Sequence, residues 1–295
     1  MKGELALSWR TVVIRSHAKI SYKNEYMIVR TEDVKMVHLS EINTVIIDST
    51  QVSMTSYLLC ELIKRKVKVI FCDEKRNPCS ELMPYYGAHN SSKKIATQIN
   101  WEVDYARFVW TQIVRQKILN QAVLLRKYGY STANMLEEYA KEIEFFDGTN
   151  REGHAAKVYF NSLFGKGFSR DDINSINTAL DYGYAILLSN FNKEIVSNGY
   201  LTQLGIKHVN EYNPFNLTCD MMEPFRILID EIVYNNLEKN FDSDYKLMLV
   251  DVLNKHVNYC GKQYYVSNVI QMYLKKIFDA IEEKNFSEVV LYKFE

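Results

Sequence analysis

What most constrains this chain is a change of hydrophobic period along its length. Up to about residue 85, β-branched and aromatic side chains come in short runs, at 11–15, 18–22, 26–30, 34–39 and 44–48. Turn-forming pairs such as Ser16-His17 and Lys23-Asn24 separate them, which predicts strands. Leu58, Leu59, Leu62 and Ile63 then recur at helical spacing over 53–65, before strand-like runs at 68–72 and 80–85. From about residue 96 the period is that of a helix. Trp110, Ile113, Val114 and Ile118 mark one face of a helix that runs to about residue 127 and stops at Gly129. Further helices are predicted at 151–164, 172–198, 217–239 (interrupted at Pro224), 243–259 and 266–284, with a closing strand at 289–292. The expectation is an α+β fold. A β-sheet domain of about six strands and one helix spans 1–85, a connection spans 86–94, and a larger all-helical domain spans 95–295.

A chain of 295 residues can bury such cores without covalent staples. Its 47% apolar and 24% charged content suits a folded globular protein. No apolar run is long enough to cross a membrane, and Met1-Lys2-Gly3-Glu4 does not open like a secretory signal. Cys60, Cys72, Cys79, Cys219 and Cys260 are odd in number, scattered and free of any C-x-x-C pair, so they read as reduced thiols of a cytoplasmic protein.

Lysine plus arginine equals aspartate plus glutamate, 36 each, which at face value argues against a polyanionic partner. The balance is uneven, however. Residues 1–131 hold 20 basic and 12 acidic side chains, and 132–295 hold 16 basic and 24 acidic. Lys93, Lys94, Arg107, Arg115, Lys117, Arg126 and Lys127 crowd into 86–131, where phosphate contacts are expected.

Three segments place carboxylates or imidazoles where chemistry is plausible. In Asn150-Arg151-Glu152-Gly153-His154, Glu152 sits in the first turn of a helix capped by Thr149 or Asn150; such an acid also simply complements the helix dipole. In Gly205-Ile206-Lys207-His208, the histidine lies on a connection between helices. In Cys219-Asp220-Met221-Met222-Glu223-Pro224-Phe225-Arg226, two acids share a helix face among apolar neighbours, and Arg226 is placed to pair with Glu223. His17, His38 and His89 read as structural, and His256 as a residue near a helix end. Two or three carboxylates with one imidazole suit Mg²⁺ or Mn²⁺ better than zinc.

The runs DGTNREGHAAKVYFNSLFG (147–165), LDYGYAILLS (180–189) and LTQLGIKHVNEYNPFNLTCDMMEPFR (201–226) resemble the CRISPR-associated spacer-acquisition integrase, the first protein of the Cas set. SWRTVVIRSHAKISYKNEYMIVR (8–30) and VIFCDEKRNPCSELMPYYGAHNSS (69–92) resemble its type II-A lineage, with residues 1–7 as an extension. The resemblance implies a metal held by Glu152, His208 and Glu223, the last an aspartate in many relatives, with Asp220 behind them. It implies transesterification, in which the 3′-hydroxyl of a double-stranded DNA fragment attacks the edge of a repeat. It also implies homodimerisation through the β domain, assembly with a dimer of the small second Cas protein, and accessory partners. A hydrolytic nuclease for branched or single-stranded DNA is the alternative, and a catalytically silent DNA-binding scaffold the third reading.

Overall fold

The computed structural model describes residues 10–85 and 88–295, so the expected extension at 1–7 lies outside the described residues. The N-terminal region forms β1 (Arg10–Ile14), β2 (Ala18–Lys23), β3 (Tyr26–Arg30), β4 (Val34–His38), β5 (Ile42–Ile47), β6 (Val52–Met54), α1 (Ser56–Lys64), β7 (Lys68–Cys72) and β8 (Pro78–Leu82). These are eight strands in two sheets, where six in one sheet were expected. One sheet has the order β1-β5-β7-β8, parallel except for β8; the other has the order β4-β3-β2-β6. Period 2 reveals strands but not their partners, and β6 is too short to show a period.

Strand β5 is buried at every position. Alternate residues serve different cores. Val45, Ile47 and Val69 join Ile20, Met27, Leu58 and Leu62 between the sheets, whereas Ile46, Ile70 and Cys72 face the helices. The first sheet is thus a wall shared by both halves, which is why its central strands read as continuous apolar runs.

The helical region comprises α2 (Ser91–Ile99), α3 (Val103–Lys127), α4 (Ala133–Glu142), α5 (Arg151–Phe164), α6 (Ser175–Ser197), α7 (Asn216–Met222), α8 (Ile227–Tyr234), α9 (Ser243–Val250), a hairpin β9 (His256–Tyr259) with β10 (Lys262–Tyr265), and α10 (Val266–Glu283). Helix α2 takes residues 91–94 of the expected connection, and α4 was not anticipated. The predicted helix at 243–259 instead breaks into α9, a short 3-10 turn and β9, so His256 opens a strand and its ring packs on Tyr265. Cys260 and Gly261, at φ 53° and 75°, make the two-residue turn that turns β9 back into β10. Residues 289–292 are irregular rather than a strand.

Helix α3 starts where the Glu102 carboxylate accepts the Asp104 and Tyr105 N–H groups and ends before Gly129 at φ 78°. It packs against α4, α5 and the turn after α7. Its polar face therefore points at the elements that carry Glu152 and Glu223.

Candidate metal centre

Glu152 is set by a residue the sequence reading overlooked. The buried Asp147 accepts the Arg151 N–H at 2.7 Å through Oδ1 and the Glu152 N–H at 3.1 Å through Oδ2. Asp147 thus satisfies the start of α5, whereas Asn150 makes no side-chain cap. This corrects the expected cap at Thr149 or Asn150. The first turn presents Glu152 to α3, where its Oε1 accepts from the Lys117 ammonium at 2.7 Å.

His208 is set by Asp220. The loop between α6 and α7 is closed by Asn216, which donates to the Gln203 and Asn210 carbonyls at 3.1 and 2.9 Å. Gly205 is required there, because a Cβ would collide with the His208 carbonyl oxygen and Asn216. Asp220, 0% exposed, accepts the Ile206, Lys207 and His208 N–H groups at 2.5, 3.1 and 3.2 Å. Its Oδ1 also lies 2.7 Å from His208 Nδ1. A carboxylate that accepts several backbone donors fixes the ring proton on Nδ1 and leaves the Nε2 lone pair for another partner. The hydrogen bond to Asp220 raises the His208 pKa against the effect of burial, and Glu223 and Glu152 add to the rise. Lys207 donates to the Phe146 carbonyl at 3.1 Å, which ties this loop to the turn that precedes α5.

Glu223 is set by a break in the helix. Pro224 follows it and lacks an N–H, and residues Glu223–Phe225 form a 3-10 turn between α7 and α8. Asn120 of α3 donates to the Pro224 carbonyl at 2.9 Å and to the Tyr292 carbonyl at 3.0 Å. Glu223 is 4% exposed. Arg226 Nε donates to its Oε1 at 3.1 Å, the pairing that the sequence suggested. Its Oε2 lies 2.5 Å from Lys117 Nζ, so both oxygens of this buried carboxylate are paired with cations. Burial works to raise the Glu223 pKa, but Arg226 and Lys117 outweigh it and hold it at about 2.

Glu152 and Glu223, from different elements, therefore converge on one ammonium, and His208 lies within the field of both. Among the described residues, no three histidine, cysteine, aspartate or glutamate side chains are drawn together as a closed metal cage; the cation between the carboxylates is Lys117. The donor chemistry nonetheless suits a hard divalent ion. It offers two carboxylates that already share one cation and an imidazole whose other nitrogen is held by a carboxylate.

Other candidates lie elsewhere. His154 is exposed and tilts against Tyr139, and His38 bonds Ser40. The basic residues of 86–131 are mostly paired within the fold. Lys94 meets Glu282, Arg126 meets Glu137, Lys127 meets Glu231, and Lys117 meets Glu152 and Glu223. Arg115 donates to the Ala140 and Ile143 carbonyls, and Lys93 is exposed. Much of the opposite charge of the two halves is thus internal pairing.

Residues 11–246 match the family described as CRISPR associated protein Cas1. The chain is 35% identical over 235 residues to the CRISPR-associated endonuclease Cas1 of Neisseria meningitidis serogroup C (strain 8013), covering 79% of this chain and 77% of that one. Among solved structures it resembles a casposase bound to integration product, with 20% identity, TM-score 0.71, and coverage of 97% and 94%. It also resembles a chain of a Cas6-RT-Cas1–Cas2 complex, with 19% identity and TM-score 0.74; there it covers 99% of itself but spans 37% of that longer chain. An N-terminal β region followed by a helical domain is the architecture these share. By sequence and by fold, the chain belongs to the CRISPR associated protein Cas1 family.

Proposed function

We propose that this chain is the DNA integrase of CRISPR spacer acquisition, joining the 3′-hydroxyl ends of a double-stranded fragment to a repeat by direct transesterification. One observation carries the reading: Glu152 and Glu223, on separate elements, close on a single cation beside a histidine whose free nitrogen is oriented by Asp220. Glu152, His208 and Glu223 would hold Mg²⁺ or Mn²⁺. Bound there, the ion would polarise the scissile phosphate and offset charge on the attacking and leaving oxygens.

The chain's own residues prepare this. Asp220 holds the Nδ1–H tautomer of His208, Asp147 fixes the turn that carries Glu152, and Arg226 fixes one oxygen of Glu223. Direct transesterification needs no enzyme nucleophile, and these side chains include no serine or cysteine. The casposase neighbour, solved with integration product, supports joining over hydrolysis. The neighbouring Cas1–Cas2 assembly supports a small second Cas protein as partner. Edge strand β4 exposes Val34 and Met36, which supports the β region over 1–85 as the dimerisation surface, with 95–295 as the catalytic part. We assign the chain to the type II-A lineage, with its accessory partners, on the sequence resemblance, and to the cytoplasm on its odd, scattered cysteines.

The test offers the protein and its Cas partner a supercoiled plasmid with leader and repeat, a short duplex and Mn²⁺. Integrated product that Glu152→Ala abolishes is the expected result. Cut plasmid without joined duplex would assign a hydrolytic nuclease instead.

A further inference from the structure

We propose that Lys117 is the exchangeable resident cation of this site: it neutralises the Glu152–Glu223 pair in the metal-free protein, competes with the divalent ion for it, and must leave when that ion binds. The proposal rests on the metal-site reading above and adds a residue to it. Lys117 lies one helical turn before Asn120 on α3, the residue that clamps the turn bearing Glu223. The helix therefore delivers a clamp and a cation to the same place. The ammonium stands 2.7 Å from one Glu152 oxygen and 2.5 Å from one Glu223 oxygen, so a second cation cannot share the gap.

The charges divide by mobility. Arg226 holds the other oxygen of Glu223, Oε1, and stacks on the Tyr184 ring at 4.8 Å, which keeps it in place. Lys117 is a point charge on a four-carbon stem and pairs with one oxygen of each carboxylate. With both cations seated, the two carboxylates are already neutralised. A divalent ion added on top would face two positive charges within a few ångströms, so its binding is coupled to departure of the ammonium. A lysine that only braced α3 to its neighbours would instead weaken metal binding when removed, because the carboxylates would lose their alignment.

The test measures Mn²⁺ binding to the DNA-free full chain by the electron paramagnetic resonance of free Mn²⁺, for wild type, Lys117→Met and Glu152→Gln. The expected result is roughly tenfold or tighter binding in Lys117→Met, and loss of binding in Glu152→Gln. Unchanged or weaker binding in Lys117→Met, with Glu152→Gln still losing it, overturns the proposal and leaves the site reading intact. Binding that Glu152→Gln does not reduce, or no binding in either wild type or Lys117→Met, overturns the site reading and the proposal with it. A measurement free of variants covers the case in which Lys117→Met does not fold. Amine labelling of wild type, read by mass spectrometry, should rise several-fold at Lys117 when Mn²⁺ is added. Unchanged or reduced labelling in protein that binds Mn²⁺ counts against exchange.

Discussion

Glu223 and Asp230 are two buried acids in neighbouring turns, and their surroundings give them opposite characters. Glu223 faces Lys117 and Arg226 and stays ionised to about pH 2 despite burial. Asp230, 1% exposed, accepts from the hydroxyls of Tyr159 and Tyr184, and burial pushes its pKa up to about 6. Glu223 is in direct contact with its two cations, whereas Arg226 and Arg170 act on Asp230 from farther off. Two hydroxyl donors favour the charged form of Asp230 too weakly to offset burial, whereas an ammonium and a guanidinium in contact with Glu223 outweigh it. The first arrangement ties α5 to α6 and α8. The second keeps a charged carboxylate buried between two cations. Arg226, paired with Glu223 and stacked on Tyr184, stands between the two.

The contrast breaks most visibly in activity. Glu223→Ala should lower integration by about a thousandfold or more, whereas Asp230→Asn should leave it within about threefold, both read in the plasmid assay. Equal losses would mean that Glu223, like Asp230, only supports the fold. Next in size is Asp220→Ala, which leaves three partly buried N–H groups without this acceptor and frees the His208 ring. It should cost about 10–100-fold in activity and about 2–4 kcal/mol of stability, read by denaturant unfolding.

The two acids should also titrate with opposite signs. The folded state holds the Asp230 proton more tightly than the unfolded chain does, so this group's contribution to stability falls as pH rises from about 4 to about 6. Glu223 is held below its ordinary value, so its contribution is present above about 4.5 and fades as pH falls toward 2. In unfolding measurements Asp230→Asn should flatten the loss between pH 4 and 6 by about 2 kcal/mol. Glu223→Gln should flatten the acid loss below 4.5. The smallest effect is expected at the half-exposed Arg126–Glu137 pair, 2.6 Å apart, where Arg126→Ala should change stability by less than about 0.5 kcal/mol. A larger effect would mean that pairing between the basic and acidic segments matters more than burial.

The same contrast marks what was legible in the sequence. The switch from strand to helix periodicity and the segments carrying Glu152, His208 and Glu223 could be read in advance, because each is local. The second sheet could not, since pairing depends on register. The β9–β10 hairpin was hidden because β9 fell inside the expected helix at 243–259, although Cys260-Gly261 between alternating residues was its turn signal. Asp147 was an available cap that a reading fixed on Thr149 and Asn150 passed over. Lys117 was visible only as one of seven basic residues assigned to phosphate. Its signal was the cluster of polar residues 116, 117, 120 and 121, two pairs one helical turn apart, three of which are buried and need partners. The partners themselves, Glu152 and Glu223, are set by packing.

The most direct measurement of the central claim is the anomalous difference map of crystals grown with Mn²⁺. The account predicts one peak about 2.0–2.3 Å from Glu152, His208 Nε2 and Glu223, with the Lys117 ammonium withdrawn from between the carboxylates. A Mn²⁺ bound elsewhere, with Lys117 still bridging Glu152 and Glu223, would contradict it.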